Sequence, residues 1–342
     1  MNVLPTEFIR VMPDELRGLA VALFRKAGVP EVDAELIVDL LVATDLRGVF
    51  SHGTLQTSRY VRQFLQGELN PRPSLQILEE TETTVTIDGD GGLGHIACHR
   101  ATSLAVEKAK AYGLGAAVTR NHGHFGSAGK YSRMALDADC VGFAVSACLR
   151  HPTPDQPVTS AAGSSPMSFA IPAGAEPPLV LDMGCRVPRT RDDEEFRELF
   201  ARMPSTFFKF LGLASVAHVL GGVMAGITLL EKPESRMNRG DVNGALVRGA
   251  NQGAFICAVD VARFMPFETF AREMDEYVRM VQALQPFPGY DRADLPGALE
   301  WEREREWAEI GIPVEPRHQA SLEGVAGELG VDVPWQGVGR RA

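Results

Sequence analysis

Cysteine is scarce in this 342-residue sequence, and its distribution excludes two common kinds of stabilising site. The number is odd and no C-x-x-C pair occurs; the five are Cys98, Cys140, Cys148, Cys185 and Cys257. Disulfide frameworks and four-thiolate zinc sites both need paired cysteines, so neither is expected. Unpaired cysteines favour a reducing compartment, and we predict a cytoplasmic protein.

Positive charge is also in short supply. Lys and Arg number 34 against 44 Asp and Glu, which gives a formal net charge of -10. A protein that grips phosphate backbones needs clustered basic side chains, so no nucleic-acid partner is expected. The opening MNVLPTEFIRVMPDELRG becomes acidic and polar before any apolar run develops, which argues against a secretory signal.

Long hydrophobic runs are missing except at 207–230. This stretch is long enough for a membrane span, but it contains Lys209, His218 and four glycines, and no second such run exists. We therefore predict a buried helix near a site, and no membrane partner.

The remaining patterns predict a mixed α/β chain with a helical start and end. Apolar residues at helical spacing, bounded by start and stop signals, predict helices at 13–28, 31–48, 51–67, 97–112, 267–284 and 300–310. Short β-branched or apolar runs predict strands at 84–87, 115–119, 141–146 and 178–181.

A glycine-rich loop at 89–94 matches G-x-G-x-x-G between a predicted strand and a helix. The pattern is typical of dinucleotide binding. However, Asp90 would repel a pyrophosphate, and the next strand ends without an acidic residue for a ribose. A structural turn is the favoured interpretation. His95 and His99 have metal-like spacing, but no adjacent Glu and no third ligand accompany them, so no metal is predicted.

Two histidine-containing segments are the candidates for chemistry. Ser51-His52-Gly53 places a hydroxyl next to an imidazole, whose ordinary pKa lies near neutrality; a capping serine followed by a surface histidine is the alternative. Residues 121–131 pack histidines and glycines into a predicted strand-to-helix turn. This favours close approach by a ligand, although a polar turn is equally compatible.

Together these segments resemble the malate/L-lactate dehydrogenase type 2 family. The pattern D-L-x-G-x-x-S-H-G occupies 45–53 and N-x-x-H-F-G occupies 121–126. Later landmarks follow in order over essentially the whole chain: G-S-S-P at 163–166, L-D-M at 181–183, K-F-L-G-L-A at 209–214, N-Q-G at 251–253, P-G at 296–297 and G-I-P at 311–313.

The resemblance implies a fold and an assembly. The expected fold is mixed α/β (α+β), with a cofactor domain that is not Rossmann-like. We divide the chain into an N-terminal helical part, 1–75, packed with a C-terminal helical part, 285–342, and a central α/β part, 76–284, that includes the cofactor-binding region. A homodimer with active sites at the subunit boundary is also implied.

The resemblance also implies residue roles. His52 matches the family's proton donor and Ser51 its relay partner, while His124 matches a second active-site histidine that acts as the acid/base in some members. A substrate carboxylate calls for a forked cation, for which Arg47, Arg59 and Lys209 are candidates. The implied cofactor contacts are Asn121, His124, Ser164, Ser165, Asp182, Met183, Gly184, Cys185, Lys209, Phe210, Pro296 and Gly297.

The sequence departs from the family pattern at three places. Gln56 stands where the family usually has Arg, Phe210 replaces a glycine, and the segment 186–208 is shorter and more charged. The proton donor is retained. We predict an enzyme that uses NAD or NADP, without a choice between them, on a small 2-oxo or 2-hydroxy acid. The alternatives are a cyclic ketimine (2-imino acid) reductase and, in a different class, a catalytically silent relative that binds a ligand or partner.

Overall fold

The structure, a computed structural model, describes residues 4–148, 152–162, 165–187, 190, 192–226 and 249–335. The α-helices are α1 (Pro13–Lys26), α2 (Glu31–Leu46), α3 (Thr57–Leu65), α4 (Gly94–Tyr112), α5 (Gly129–Ser132), α6 (Asp193–Arg202), α7 (Pro204–His218), α8 (Phe267–Gln282), α9 (Ala298–Ile310) and α10 (Pro316–Leu329). The strands are β1 (Ile9–Val11), β2 (Gln76–Glu80), β3 (Thr84–Asp88), β4 (Leu114–His122), β5 (Cys140–Cys148), β6 (Ser165–Ile171), β7 (Leu179–Cys185), β8 (Gln252–Asp260) and β9 (Ile312–Val314).

A seven-stranded sheet forms the centre of the molecule, in the order β2-β3-β4-β8-β5-β6-β7. Strands β3 and β4 are parallel and are joined through α4, whereas the other neighbouring pairs are antiparallel. A doubly wound dinucleotide fold needs a run of parallel strands. The prediction of a mixed α/β, non-Rossmann fold is therefore confirmed.

The two ends of the chain pack together at one side of this sheet. Strand β1 pairs with β9, so that Ile9 lies opposite Val314. Helices α1, α2, α3 and α10 share one apolar core, which includes Leu23, Leu41 and Val325. The helices associate because each removes apolar side chains from water when they pack together. The boundaries proposed at 75 and 285 stay a prediction.

Helix α4 packs on β3, β4 and β8 and also contacts α2 and α5, the helices next to the two histidine-containing segments. Its contact with the sheet is tight, since a Cβ on Gly115 would come 2.0 Å from the Ala105 carbonyl oxygen. Cys98 and Ala101 are buried against the sheet. The start of α4 is thereby fixed beside the turn that follows β4.

Some boundaries differ from the sequence prediction. The third helix was expected from residue 51, but two short 3₁₀ turns, Phe50–His52 and Thr54–Gln56, precede α3. The turns bend the chain around Asp45, a tertiary contact that helical periodicity does not report. Strands β2, β6 and β8 and helix α10 were not predicted.

The apolar segment at 207–230 also differs from the sequence prediction, which was a buried helix. Over its described residues it forms α7 and a π-helical turn, Val219–Val223. The helix Pro204–Val223 is long and apolar enough to cross a membrane by length and composition, and 28% of the most apolar window is buried. The prediction of a buried helix is wrong, because one face packs on β5, β6 and β7 while Phe208 and Val216 are exposed.

Candidate active site

The glycine loop at 89–94 is a structural turn. The amide of Gly89 donates to the Arg120 carbonyl, the amide of Gly91 to that of Asn121, and the amide of Gly92 to that of Gly89. The Asp90 carboxylate accepts from the side chain of Asn70. A phosphate cradle needs free backbone amides, and these are already used. The loop instead fixes the end of β3 against the turn after β4.

The Ser-His-Gly turn is anchored by a buried carboxylate. Asp45, the penultimate residue of α2, accepts hydrogen bonds from the Thr54 amide at 2.9 Å and the Thr54 hydroxyl at 2.5 Å. That hydroxyl in turn accepts from Nε2 of His318, at 2.9 Å, on α10. Gly53 must lack a side chain, because a Cβ there would lie 1.7 Å from Asp45 Oδ1. The motif spacing D-x₇-G therefore has a steric cause.

His52 is half-buried on this turn, and its ring is oriented by its neighbour. Ser51 Oγ lies 3.0 Å from His52 Nδ1. The Ser51 carbonyl accepts a hydrogen bond from the Gln56 side chain at 2.8 Å, so Gln56 helps to hold the Ser51 backbone in place. Within the described part of the chain no group bonds Nε2 of His52, and this nitrogen is therefore available to a substrate.

His124 lies directly across from His52. The two ring centroids are 5.9 Å apart. The hydroxyl of Tyr60, on α3, lies 2.6 Å from His124 Nδ1. Burial raises the pKa of Tyr60 above its ordinary value, so its hydroxyl keeps its proton and can donate a hydrogen bond to Nδ1; we assign it this role. The proton of the neutral His124 ring is then on Nε2, and His124 can act as a hydrogen-bond donor.

Both histidines are held in the neutral form. Burial, followed by the positive charges of Lys130 and Arg59, lowers the pKa of His52 to about 4. Burial, followed by Arg59, lowers the pKa of His124 to about 3. Arg59 is itself exposed, and its guanidinium makes a 3.4 Å contact with the Gln56 side chain. The site thus combines two neutral imidazoles with a cation that is open to an anionic ligand.

A cavity of about 330 Å³ is lined by Lys130, whose ammonium bonds the His52 carbonyl, although neither His52 nor His124 lines the cavity. It lies between α2, α5 and α9. Charged residues of both signs line it, Arg47, Lys130, Arg133, Asp137 and Glu304, and Gly297 and Trp301 are also part of its wall. Two glycines shape the region around it. A Cβ on Gly129 would lie 2.6 Å from the Asp182 carboxylate, and a Cβ on Gly297 would lie 2.8 Å from the Val180 amide.

The chain was compared with known proteins and structures. A sequence profile described as malate/L-lactate dehydrogenase matches residues 11–187 and 188–323. The chain belongs to the malate/L-lactate dehydrogenase family. The resemblance recognised from the motifs is thereby confirmed, and the protein is an oxidoreductase that transfers hydride with a nicotinamide cofactor.

Individual members of the malate/L-lactate dehydrogenase family align over nearly the full chain. A malate dehydrogenase of Pyrococcus horikoshii is 28% identical over 95% of this chain and 97% of its own length. An L-sulfolactate dehydrogenase of Methanocaldococcus jannaschii is 29% identical over 94% and 97%. The solved structure of the Pyrococcus horikoshii OT3 malate dehydrogenase superimposes with a TM-score of 0.82 at 27% identity, covering 97% of this chain and 99% of its own.

The cofactor residues expected of a malate/L-lactate dehydrogenase fall in several places. Ser165 and Cys185 are opposite each other at the ends of β6 and β7, and Asp182, Met183 and Gly184 lie on β7. The Pro296 carbonyl accepts from the Val180 amide, also on β7, at 2.8 Å. These positions are compatible with a bound dinucleotide, because Gly297, which has no side chain, lines the cavity together with the cations Lys130 and Arg133.

Other predicted residues are engaged elsewhere. Arg47 forms a bidentate pair with Glu304, at 2.9 and 2.7 Å. The Asn121 side chain donates to the Asp88 carboxylate at 2.8 Å. Lys209, exposed, and Phe210 lie on α7. Ser164 lies outside the described residues.

Sequence reasoning missed two contributors to the site, Asp45 and Lys130. Asp45 continues the inner stripe of α2, one turn after Leu41, and an acidic residue at a core position is a signal that could have been used. Lys130 lies in a run of small residues before Tyr131, and nothing in its spacing indicates that it would be buried. Its exposed fraction is 4%.

Proposed function

We propose that this protein interconverts a small 2-hydroxy acid and the corresponding 2-oxo acid, with His52 as the acid/base. The observation that carries the proposal is the histidine pair, with rings 5.9 Å apart beside the exposed cation Arg59. The named relatives, a malate and an L-sulfolactate dehydrogenase, support the substrate class, because both names denote small acids with a 2-hydroxyl group.

In the oxidative direction His52 accepts the hydroxyl proton of the substrate. For this the neutral ring carries its proton on Nδ1 and donates it to Ser51 Oγ, which leaves the Nε2 lone pair free. A bound NAD or NADP supplies the hydride acceptor. In the reverse direction the protonated ring returns a proton to the substrate oxygen, which stabilises the alkoxide that would otherwise form.

His124 positions the substrate rather than moving a proton. Tyr60 occupies its Nδ1, so Nε2–H points to a hydrogen-bond acceptor such as the substrate oxygen. Burial first and then Arg59 lower the pKa of His124, so this ring is neutral and can donate a hydrogen bond from Nε2. Two neighbouring imidazoles thereby have different tasks.

Arg59 binds the substrate carboxylate. Of the two candidate arginines next to the Ser-His-Gly turn, Arg47 is paired with the carboxylate of Glu304, whereas Arg59 is exposed and contacts the Gln56 side chain at 3.4 Å and the face of the Tyr60 ring, at 5.9 Å from the ring centroid. A guanidinium that faces a carboxylate makes charge-assisted hydrogen bonds. The Gln56 amide can supplement it from the same helical turn.

The cofactor is proposed to lie along β7 and the turn at Pro296–Gly297. The residues that would hold it are Asp182, Met183, Gly184 and Cys185, together with Ser165, Lys209 and Phe210 from neighbouring elements. Four of these, Asp182 to Cys185, come from β7, one edge strand of the sheet. The assembly is proposed to be a homodimer, because Ser51 is exposed and a second subunit would exclude water from that side; light scattering should report twice the chain mass.

The test is a spectrophotometric assay of purified protein with NADH and, separately, NADPH. Oxaloacetate, pyruvate and sulfopyruvate represent the 2-oxo acids, and a cyclic 2-imino acid represents the ketimine alternative. Turnover of at least one 2-oxo acid above the imine is the expected result, and the faster of the two nucleotides defines the cofactor. Binding of a nucleotide with no turnover of any substrate would contradict the proposal in favour of a silent relative.

A further inference from the structure

Lys130 is a buried lysine that touches the His52 turn. It lies on α5, and its ammonium donates to the His52 carbonyl oxygen at 2.6 Å. Room for the ammonium is made by Gly126: a Cβ at that position would lie 3.0 Å from Lys130 Nζ and 3.2 Å from His95 Nε2. Gly126, the glycine of the H-F-G motif, thus leaves space for the Lys130 side chain beside the Ser-His-Gly turn.

Among the described residues, the hydrogen bond from Lys130 is one of two that join the segment 121–131 to the Ser-His-Gly turn and the helix α3 that follows it. Lys130 belongs to the segment that carries His124 and holds the backbone of His52. Tyr60, on the helix after the His52 turn, holds the ring of His124 at 2.6 Å. One bond is donated from the side of the site that carries His124, and the other from the side that carries His52. Their combined effect is to fix the separation of the rings.

We propose that Lys130 is a positioning residue that fixes His52 relative to His124 and places a positive charge beside the imidazole of His52. This inference rests on the proposed function of His52 as the acid/base. Lys130 itself does not touch the reacting atoms. It acts through the peptide group of His52 and through its charge.

The charged surroundings of Lys130 support this role. Burial, the largest effect, lowers the pKa of Lys130 to about 7; Asp45 on α2 and Asp182 on β7 favour the protonated form, and Arg47 opposes it. The ammonium therefore carries its charge at the lower pH, near 4, at which His52 titrates. His95, on α4, faces the ammonium and is neutral because burial, followed by Lys130, lowers its pKa. Around His52 itself the groups are Lys130 and Arg59, with His124 across the gap.

The experiment compares Lys130→Met, which keeps length and removes the charge, with Lys130→Arg, which keeps it. Lys26→Met, at an exposed position on α1, is the matched control. For each protein, NMR follows the titration of the His52 ring without substrate or cofactor, with His52→Asn used to assign the signal. Steady-state kinetics then give kcat and KM against pH, and thermal unfolding shows that each variant is folded.

In Lys130→Met the His52 titration should move upward, from about 4 toward its ordinary 6.5, since a repelling charge is gone. Its kcat should fall by about 10- to 100-fold, because a displaced acid/base costs rate steeply, while KM changes little. Lys130→Arg should keep the wild-type titration and recover part of kcat. Lys26→Met should match the wild type in every measurement.

An unchanged His52 titration in Lys130→Met would overturn the proposal, as would an equal loss of kcat in the Met and Arg variants with no difference in titration. A wild-type protein that turns over no substrate would refute the proposed function instead. In that case the NMR titrations still decide whether Lys130 controls His52. If Lys130→Met does not fold, the arginine variant supplies the test: a His52 titration displaced from the wild type despite the retained charge would refute the charge effect.

Discussion

A methyl group added at Gly53 tests how tightly the Ser-His-Gly turn packs against Asp45. A Cβ built there stands 1.7 Å from Oδ1 and 2.4 Å from Cγ of Asp45, whereas real Cβ atoms essentially never come within 3.0 Å of another atom. The turn and the carboxylate must therefore separate by about 1.3 Å, the difference between 3.0 and 1.7 Å. Asp45 has little room to move, because it is fully buried and bound to Thr54.

The displacement acts on His52, the residue directly before Gly53. Misplacing a catalytic group by about 1 Å costs on the order of 10²-fold in rate, so Gly53→Ala should lower kcat about 100-fold. Overpacking of a buried site also costs about 1–3 kcal/mol of folding free energy. The variant should therefore unfold at a lower temperature while its cofactor affinity is retained, since we propose that the cofactor binds at β7 and Gly297.

The assay measures kcat, KM and the dissociation constant of the nucleotide, alongside the unfolding temperature. Gly18→Ala is the matched control, since a Cβ there meets nothing within 4 Å. In an Asp45→Ala background, Gly53→Ala should have almost no further effect, because the clashing atoms are gone and the two changes are coupled. Wild-type kcat in Gly53→Ala, or full additivity in the double variant, would refute the steric reasoning.

Three further predictions concern the site itself. His52→Asn should lower kcat by about 10²–10⁴-fold with nucleotide binding intact, whereas His124→Asn should act more on KM; the reverse pattern would exchange the two roles. Arg59→Ala should weaken substrate binding by about 1.5–3 kcal/mol, measured as KM. Arg47→Ala should lower stability rather than raise KM, and Arg62→Ala, one helical turn after Arg59, should do neither. Because the pKa of His52 is lowered to about 4, kcat/KM for oxidation should fall only as the pH drops through that value and the base form is lost. For reduction, which needs the protonated ring, kcat/KM should fall about tenfold per pH unit above it; a reductive profile that rises with pH would contradict the assignment.

The sequence was informative where a pattern repeats along one element. Helices α1, α2 and α4 and strands β3 to β5 were predicted within a few residues, because each has a regular apolar spacing and clear end signals. Strand β8 was not predicted. It occupies the middle of the sheet, and its pairing with β4 and β5 joins residues more than a hundred positions apart, which no local signal reports.

The residues of the active site differ in the same way, between those that local motifs predict and those that only tertiary contacts reveal. Ser51, His52 and His124 follow from motifs that are continuous in sequence. The tasks of Asp45 and Lys130 depend on contacts between separate elements. Arg47 and Arg59 are equivalent by sequence, since both flank the turn, and only the partner Glu304 from the far end of the chain distinguishes them.

The contact between Thr54 and His318 has a consequence for how the protein is made. The active turn is completed by a residue of α10, and β1 finds its partner strand only when Val314 has been synthesised. At about 5–20 residues per second of translation, the C-terminal strand and helix are synthesised roughly 15–60 s after the N-terminal helices. A ribosome-bound chain that lacks its last helices should therefore expose an unfinished apolar surface to chaperones. Such a nascent chain should also show no hydride transfer until the C-terminal segment emerges.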